Sequence, residues 1–432
     1  MVKVGVLGCG NVGAALVQLI AERGDEIAGR TGVRLEVARV AVRSLSRTRP
    51  IHVADDILTR DAADVVADPG VDIVVEVIGG IEPARELILT ALAAGKPVIT
   101  ANKELLANHG AELFEAASAG GVDLLFEAAV AGGIPIMRPL RESLVGEDVR
   151  RVMGIVNGTT NFILTRMSED GTSYAEALTE AQALGYAERD PTADVEGYDA
   201  GAKAAILASI AFGAKVVAGD VYHEGISNIS ATDIAFATRL GYVIKLLAVA
   251  ELVPVEGGED EVAVRVHPAM VPLAHPLAGV RDSFNAVFVE GAAVGDLMFY
   301  GRGAGGLPTG SAVLGDLVDA AVNLGKHTHA DLLALVRRPI RPIDELRSSY
   351  YVNLDVVDRP GVLRAVAEVF EHHAVSIRSL EQEGVGADAR LIFITHESRE
   401  ADVQQTLSDL RQLDVIHRIT SVLRVVGADV EA

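Results

Sequence analysis

The chain has 432 residues, half of them hydrophobic and 23% charged, which excludes a disordered protein; at about 100–200 residues per domain it predicts two to four domains. Against 60 Asp and Glu stand only 38 Lys and Arg, a formal charge of -22 at pH 7, so neither nucleic acid nor an anionic membrane is an expected partner. One cysteine, Cys9, leaves no internal disulfide and no cysteine-based zinc site, and no apolar run approaches the ~20 residues of a membrane span.

The opening MVKVGVLGCG reads as a strand entering a glycine turn, not as a signal peptide, and the cytoplasm is the expected location. Val2–Leu7 is a buried-strand run, 14–23 a helix and 35–42 a second strand. DIVVEVI at 72–78 predicts a third strand, 83–94 a helix, 97–100 a fourth strand, 111–119 a helix and 123–129 a fifth strand. This alternation predicts an α/β fold, a Rossmann-type doubly wound parallel sheet, over 1–135. Residues 136–300 lose the rhythm and carry an Ala-rich helix over 199–212. The glycine turn GRGAGG at 301–306 leads into a helix to about 324. RRPIRPID at 337–344 has no period and reads as a linker, placed at 331–349. Beyond it, 350–432 give the order βαββαβ, a ferredoxin-like unit.

Gly8-Cys9-Gly10-Asn11-Val12-Gly13 follows a strand and opens a helix, the context that a dinucleotide-binding turn requires. Gly8 permits the tight turn, Gly10 admits a pyrophosphate to the backbone, and Gly13 allows close helix–strand packing. Asn11 and Val12 belong to the helix N-terminus that offers amides to the phosphates. After the second strand, an acidic residue would select NAD. This chain has Arg43, Ser44 and Arg47 instead, which favours NADP over NAD as cofactor.

Only seven of the 38 basic residues are lysine. A desolvated lysine releases a proton where arginine cannot, so each lysine position is informative. Lys103 lies in Thr100-Ala101-Asn102-Lys103, just past the fourth strand. Next comes EAAVAGGIPI, where Glu127 and a run of carbonyls suit a hard cation or, equally, form a simple strand-to-helix turn. Between 188 and 199 lie five carboxylates, Glu188, Asp190, Asp194, Glu196 and Asp199, followed by Lys203 in an apolar helix. Asp199 and Lys203 are four apart, on one helix face. They read either as a surface pair or as a proton donor with its partner, Glu188, Asp190 and Asp194 then receiving a substrate amino group.

GCGNVG, TANKE, EAAVAGGIPI, NGTTNFIL, LGYAERDPTADVEGYDAGAK and GRGAGGLPTG, in this order over about 1–325, closely resemble homoserine dehydrogenase. The resemblance implies reduction of L-aspartate 4-semialdehyde to L-homoserine in threonine and methionine biosynthesis. It implies Lys203 as proton donor, Asp199 as its orienting partner, and Lys103 between cofactor and substrate. Glu188, Asp194, Gly158 and Thr159 become substrate contacts. Gly8, Gly10, Asn11, Val12, Gly13, Arg43, Ser44, Thr100, Lys103 and Gly305 become cofactor contacts. Glu127 with Val130, Gly132 and Ile134 becomes a sodium or potassium site. The implied layout is a dinucleotide domain at 1–135 completed by about 301–330, and an α+β substrate and dimerisation domain at 136–300. One departure is Arg302, where the family pattern has proline. VVDRPGVLRAVAEVF in 350–432 resembles an ACT domain, implying an amino-acid effector, with L-threonine the expected one. No kinase-sized region precedes residue 1, so a monofunctional enzyme, assembled as a homodimer or homotetramer, is expected. The competing readings are a related oxidoreductase for another amino-acid aldehyde, against which EGYDAGAK argues, and a catalytically silent amino-acid sensor, against which Lys203 and Asp199 argue.

Overall fold

The structure, a computed structural model, describes residues 1–46, 49, 51–330, 335–384 and 389–427. It divides into two compact units interleaved along the chain. The first comprises Met1–Gly158, Ala200–Val221 and Phe284–Arg338; the second comprises Thr159–Asp199, Tyr222–Ser283 and Pro339–Ala432. Residues 136–300 therefore contribute to both.

In the first unit, six parallel strands lie side by side as Leu58–Thr59, Leu35–Ala41, Val2–Leu7, Ile73–Glu76, Val98–Thr100 and Leu124–Leu125, the doubly wound order, with Leu58–Thr59 a short strand that the sequence pattern does not mark. The central strands Val2–Leu7 and Ile73–Glu76 are apolar runs because helices cover both faces. Helix Asn11–Thr31 and helix Gly306–Lys326 bury Leu16, Ile20, Val313 and Leu317 against Val4, Val6 and Val75. The helices approach closely because Gly310 lies against Ala15, where an added Cβ would stand 3.0 Å away. The strand expected at 123–129 is only Leu124–Leu125, because a short turn at Glu127–Ala129 replaces the rest. Three antiparallel strands, Val149–Ile155, Phe284–Gly291 and Gly295–Arg302, complete this unit's sheets.

In the second unit, the hairpin of Tyr242–Val253 and Glu261–Pro272 carries on its outer strand the C-terminal βαββαβ element. Strand Ile416–Val425 pairs in parallel with Glu261–Pro272, Ala269 opposite Arg424 and Met270 opposite Val425. Beyond it run Arg347–Val356, Arg390–Thr395 and Ile377–Glu383, the 4-1-3-2 order of a ferredoxin-like sheet. Helices Val362–His372 and Glu400–Leu410 bury Val366, Phe370, Leu407 and Leu410 on that sheet. In the expected linker, residues 331–334 lie outside those described. Its later part is hydrogen-bonded within the second unit: the Val262 amide donates to Pro339 and the Arg341 amide to Val262, both at 2.9 Å.

Candidate active site

The glycine turn of the first unit is built as its spacing requires. Gly8 has φ +102°, and a Cβ there would stand 2.8 Å from the Val77 carbonyl oxygen. At Gly13 a Cβ would collide with the Gly8 carbonyl, whereas at Gly10 it would meet nothing within 4 Å. The first and third glycines thus serve the fold, while the second leaves space for a phosphate beside the amides of Asn11 and Val12. No acidic residue occupies the first turn of this helix to oppose an anion. Past strand Leu35–Ala41, Arg43 is exposed and the Ser44 hydroxyl lies 3.2 Å from that of Ser46. Arg47 lies outside the described residues. Arg49, which the sequence reading passed over, donates to the Ser44 carbonyl at 2.5 Å and shapes this loop.

At the carboxyl edge of the parallel sheet lies a buried network. Glu76 accepts from the amides of Ile78 and Gly79 at 2.8 and 3.0 Å and from the Thr100 hydroxyl at 2.6 Å. Thr100 in turn accepts from the Asn102 amide, and Asn102 caps helix Lys103–Gly120 through Leu105. The Thr100 side chain is therefore engaged within the protein and holds the loop from which half-buried Lys103 opens its helix. Glu76 was missed by the sequence reading; its signal was a charge inside the apolar run IVVEVI at 73–78.

Glu127 is buried, and three amides take its carboxylate: Ile136 and Met137 on one oxygen, Arg138 on the other at 2.9 Å. Its own amide donates to buried Asp316 at 2.8 Å. Burial pushes the Asp316 carboxyl up to about 7, against the amide bond from Glu127. The Glu127 carboxylate is thus not left over for a cation. The neighbouring carbonyls are different: Val130, Gly132 and Ile134 are buried, and no main-chain donor among the described residues takes their oxygens. Buried carbonyls without donors are unusual, and their chemistry fits a hard monovalent cation. Arg302 ends its strand with its carbonyl accepting from Gly133 at 3.1 Å and its guanidinium over the Phe284 ring, which fills the place where proline was expected. Gly305, at φ +118°, caps the following helix, a conformation that favours glycine.

Helix Tyr198–Phe212 presents Asp199 and, one turn later, Lys203. Lys203 is 9% exposed, and its amine donates to the Val156 carbonyl at 2.6 Å. Val156 directly precedes Asn157 and Gly158, where helix Gly158–Glu169 begins.

In the second unit the Thr159 hydroxyl lies 2.8 Å from the Tyr186 carbonyl and 3.3 Å from the Asp194 carboxylate, so these two expected substrate contacts meet. Glu188 is exposed two residues past Tyr186. Asp190 is committed elsewhere: it accepts from the hydroxyl and amide of Thr192, bonds that hold its carboxyl below the usual range. Gly197, at φ +86°, lets the chain turn into helix Tyr198–Phe212, and Ile226 donates to the Val195 carbonyl at 2.8 Å. Gly225 must also be glycine, since a Cβ there would stand 2.5 Å from the Val195 carbonyl oxygen. Another missed residue is Lys245, buried, donating to Asn161 of NGTTN at 3.0 Å and to the Val280 carbonyl. Burial lowers its amine to about 8.

The family model described as the NAD-binding domain of homoserine dehydrogenase matches residues 8–127. That described as homoserine dehydrogenase matches 135–318, and that described as the ACT domain matches 350–415. A homoserine dehydrogenase of Corynebacterium glutamicum is 52% identical over 431 residues, covering 98% of this chain and 95% of that protein. The crystal structure of a homoserine dehydrogenase from Thiobacillus denitrificans is 41% identical with a TM-score of 0.90, over 98% of each chain. A hyperthermophilic archaeal homoserine dehydrogenase in complex with NADPH is 29% identical with a TM-score of 0.62, covering 74% of this chain and 98% of that one.

Proposed function

Since the chain belongs to the homoserine dehydrogenase family, a family of oxidoreductases, and carries its NAD-binding and ACT domains, we propose that it reduces L-aspartate 4-semialdehyde to L-homoserine. A bound nicotinamide supplies the hydride that goes to the aldehyde carbon. Lys203 gives a proton from Nζ to the aldehyde oxygen, completing the alcohol. Asp199, one turn earlier on the same helix, orients that ammonium. Glu188 and Asp194 accept from the substrate ammonium beside Gly158 and Thr159, and Lys103 acts on the cofactor side of the substrate. The observation that carries this reading is Lys203, a buried lysine on an Ala-rich helix whose amine donates to the Val156 carbonyl.

NADP is the proposed cofactor, with NAD the alternative. Exposed Arg43 and Ser44 support this choice, as does the NADPH complex of the archaeal relative. A sodium or potassium ion fits the carbonyls of Val130, Gly132 and Ile134, with Glu127 contributing its main-chain oxygen because amides hold its carboxylate. Residues 1–135 with 301–330 would hold the cofactor, 136–300 bind substrate and pair chains into a homodimer or homotetramer, and 350–432 regulate in response to L-threonine. The cytoplasm is the proposed location. Loss of reduced-cofactor absorbance on adding L-aspartate 4-semialdehyde, with each cofactor in turn, tests the activity. A chain that binds cofactor but shows no such loss would overturn it.

A further inference from the structure

Within the second unit, helices Val362–His372 and Glu400–Leu410 pack against each other on the C-terminal sheet, and their ends meet in a cluster of polar side chains. There His372, His373 and Asp409 each bring one atom able to ligate a metal, all within 4.8 Å of one another. The His373 Nε2–H donates to the Asp409 carboxylate at 2.8 Å, and the two imidazoles meet edge to face with centres 4.8 Å apart. Successive side chains on a helix point about 100° apart and do not face each other. His373 escapes that constraint because it lies just past the helix end, and Ala374 after it turns the chain with a left-handed φ of +55°. Phe370 and Leu410, close to the cluster on each helix, are buried in one core, so both helix ends are held in place.

An ion pair accounts for His373 and Asp409 but not for the second imidazole set against the first. Two neutral imidazoles and a carboxylate are a donor set for borderline divalent metals such as Zn²⁺, whereas Mg²⁺ and Ca²⁺ prefer oxygen alone. Zinc bonds of about 2.0–2.2 Å put tetrahedral ligand atoms ~3.4 Å apart. Small rotations of exposed His372 and of Asp409, whose side chain is 46% exposed, supply the remaining approach. The hydrogen between His373 and Asp409 stands where the metal would: with the ring hydrogen on Nδ1, Nε2 and the carboxylate oxygen both face the ion. Both helices end here, and the carboxyl end of a helix dipole favours a cation. The exposure of Asp409 also gives an ion its path from solvent and lets water complete the coordination.

We propose that His372, His373 and Asp409 form a reversible site for a divalent cation of the zinc class, which ties together the ends of the two helices of the C-terminal element. Its occupancy is independent of the reaction assigned above, so substrate and cofactor are left out of the test. The full chain is titrated calorimetrically with Zn²⁺ at about pH 7.5, where most histidine is neutral, alone and in the presence of an equal concentration of Mg²⁺. The same titrations are run on His372→Ala, His373→Gln and Asp409→Asn, and on His417→Gln as a control, an exposed histidine on strand Ile416–Val425 of the same element. Circular dichroism checks that each variant is folded. Expected are one tightly bound zinc per chain, undisturbed by Mg²⁺, and a loss of at least about tenfold in its affinity in each of the three cluster variants. His417→Gln should bind zinc as the parent does. No zinc binding by the full chain, displacement of zinc by Mg²⁺, or parental affinity in any one of the three folded cluster variants overturns the site.

Discussion

Lys203 donates to the carbonyl of Val156 at 2.6 Å, a bond linking helix Tyr198–Phe212 to the entry of NGTTN. A buried ammonium needs such an acceptor, and arginine could not replace it as a proton donor. Lys203→Ala should lower turnover by about 10²–10⁴-fold, the range of a lost general acid. Lys203→Arg should do the same, because it keeps the charge but not the transferable proton. Cofactor affinity, followed by quenching of reduced-cofactor fluorescence, should stay near that of the parent in both. Near-normal turnover in Lys203→Arg would show that only the charge matters.

Arg43 is exposed beyond the second strand, where the 2′-substituent of a dinucleotide is read. Arg43→Ala should raise the Michaelis constant for NADPH by about tenfold or more and that for NADH little, since a charged contact to phosphate contributes ~1.5–3 kcal/mol. Equal effects on the two cofactors would show that Arg43 does not read the phosphate.

The parts of this site that were legible in sequence are those fixed by backbone geometry or by residue type. Gly8 and Gly13 cannot carry a Cβ, so their spacing is visible in the sequence. Lys203 stood out because lysine is rare in this chain. What was hidden depends on partners distant along the chain. Glu76 is held by Thr100 and Asp316 by Glu127, so neither buried charge is marked by its neighbours. The sequence made Glu127 a cation ligand by its charge, and the structure turns that carboxylate onto the amides of 136–138. The parallel pairing of Ile416–Val425 with Glu261–Pro272 was likewise unreadable, because a pairing between remote strands leaves no local pattern.

Asp316 gives a pH test. Its carboxyl is raised from 3.8 to about 7, chiefly by burial, so the folded state holds this proton more tightly than the unfolded state does. Stability from this group is complete below its unfolded value, falls as pH rises toward 7, and is level above that. Asp316→Asn, which cannot ionise, should flatten the dependence of the urea midpoint on pH between about 4 and 7. Identical slopes for parent and variant would place the titration elsewhere.

Arg424 tests how the C-terminal sheet is fastened within the second unit. Its guanidinium is buried and meets Glu400 at 2.8 Å and Glu224 at 2.9 Å, while Tyr350 donates to the same Glu400 oxygen. Glu400 is itself buried, so removing the arginine strands a charge in the interior. Arg424→Met should cost about 3–5 kcal/mol in chemical denaturation, the scale of one buried partner lost. Adding Glu400→Leu should recover most of that loss, because apolar packing replaces a buried pair at little net cost. Glu224 is a third exposed on its side chain and needs less compensation from the protein. A double variant no more stable than Arg424→Met would show that Arg424 acts through its strand packing rather than through the charge on Glu400.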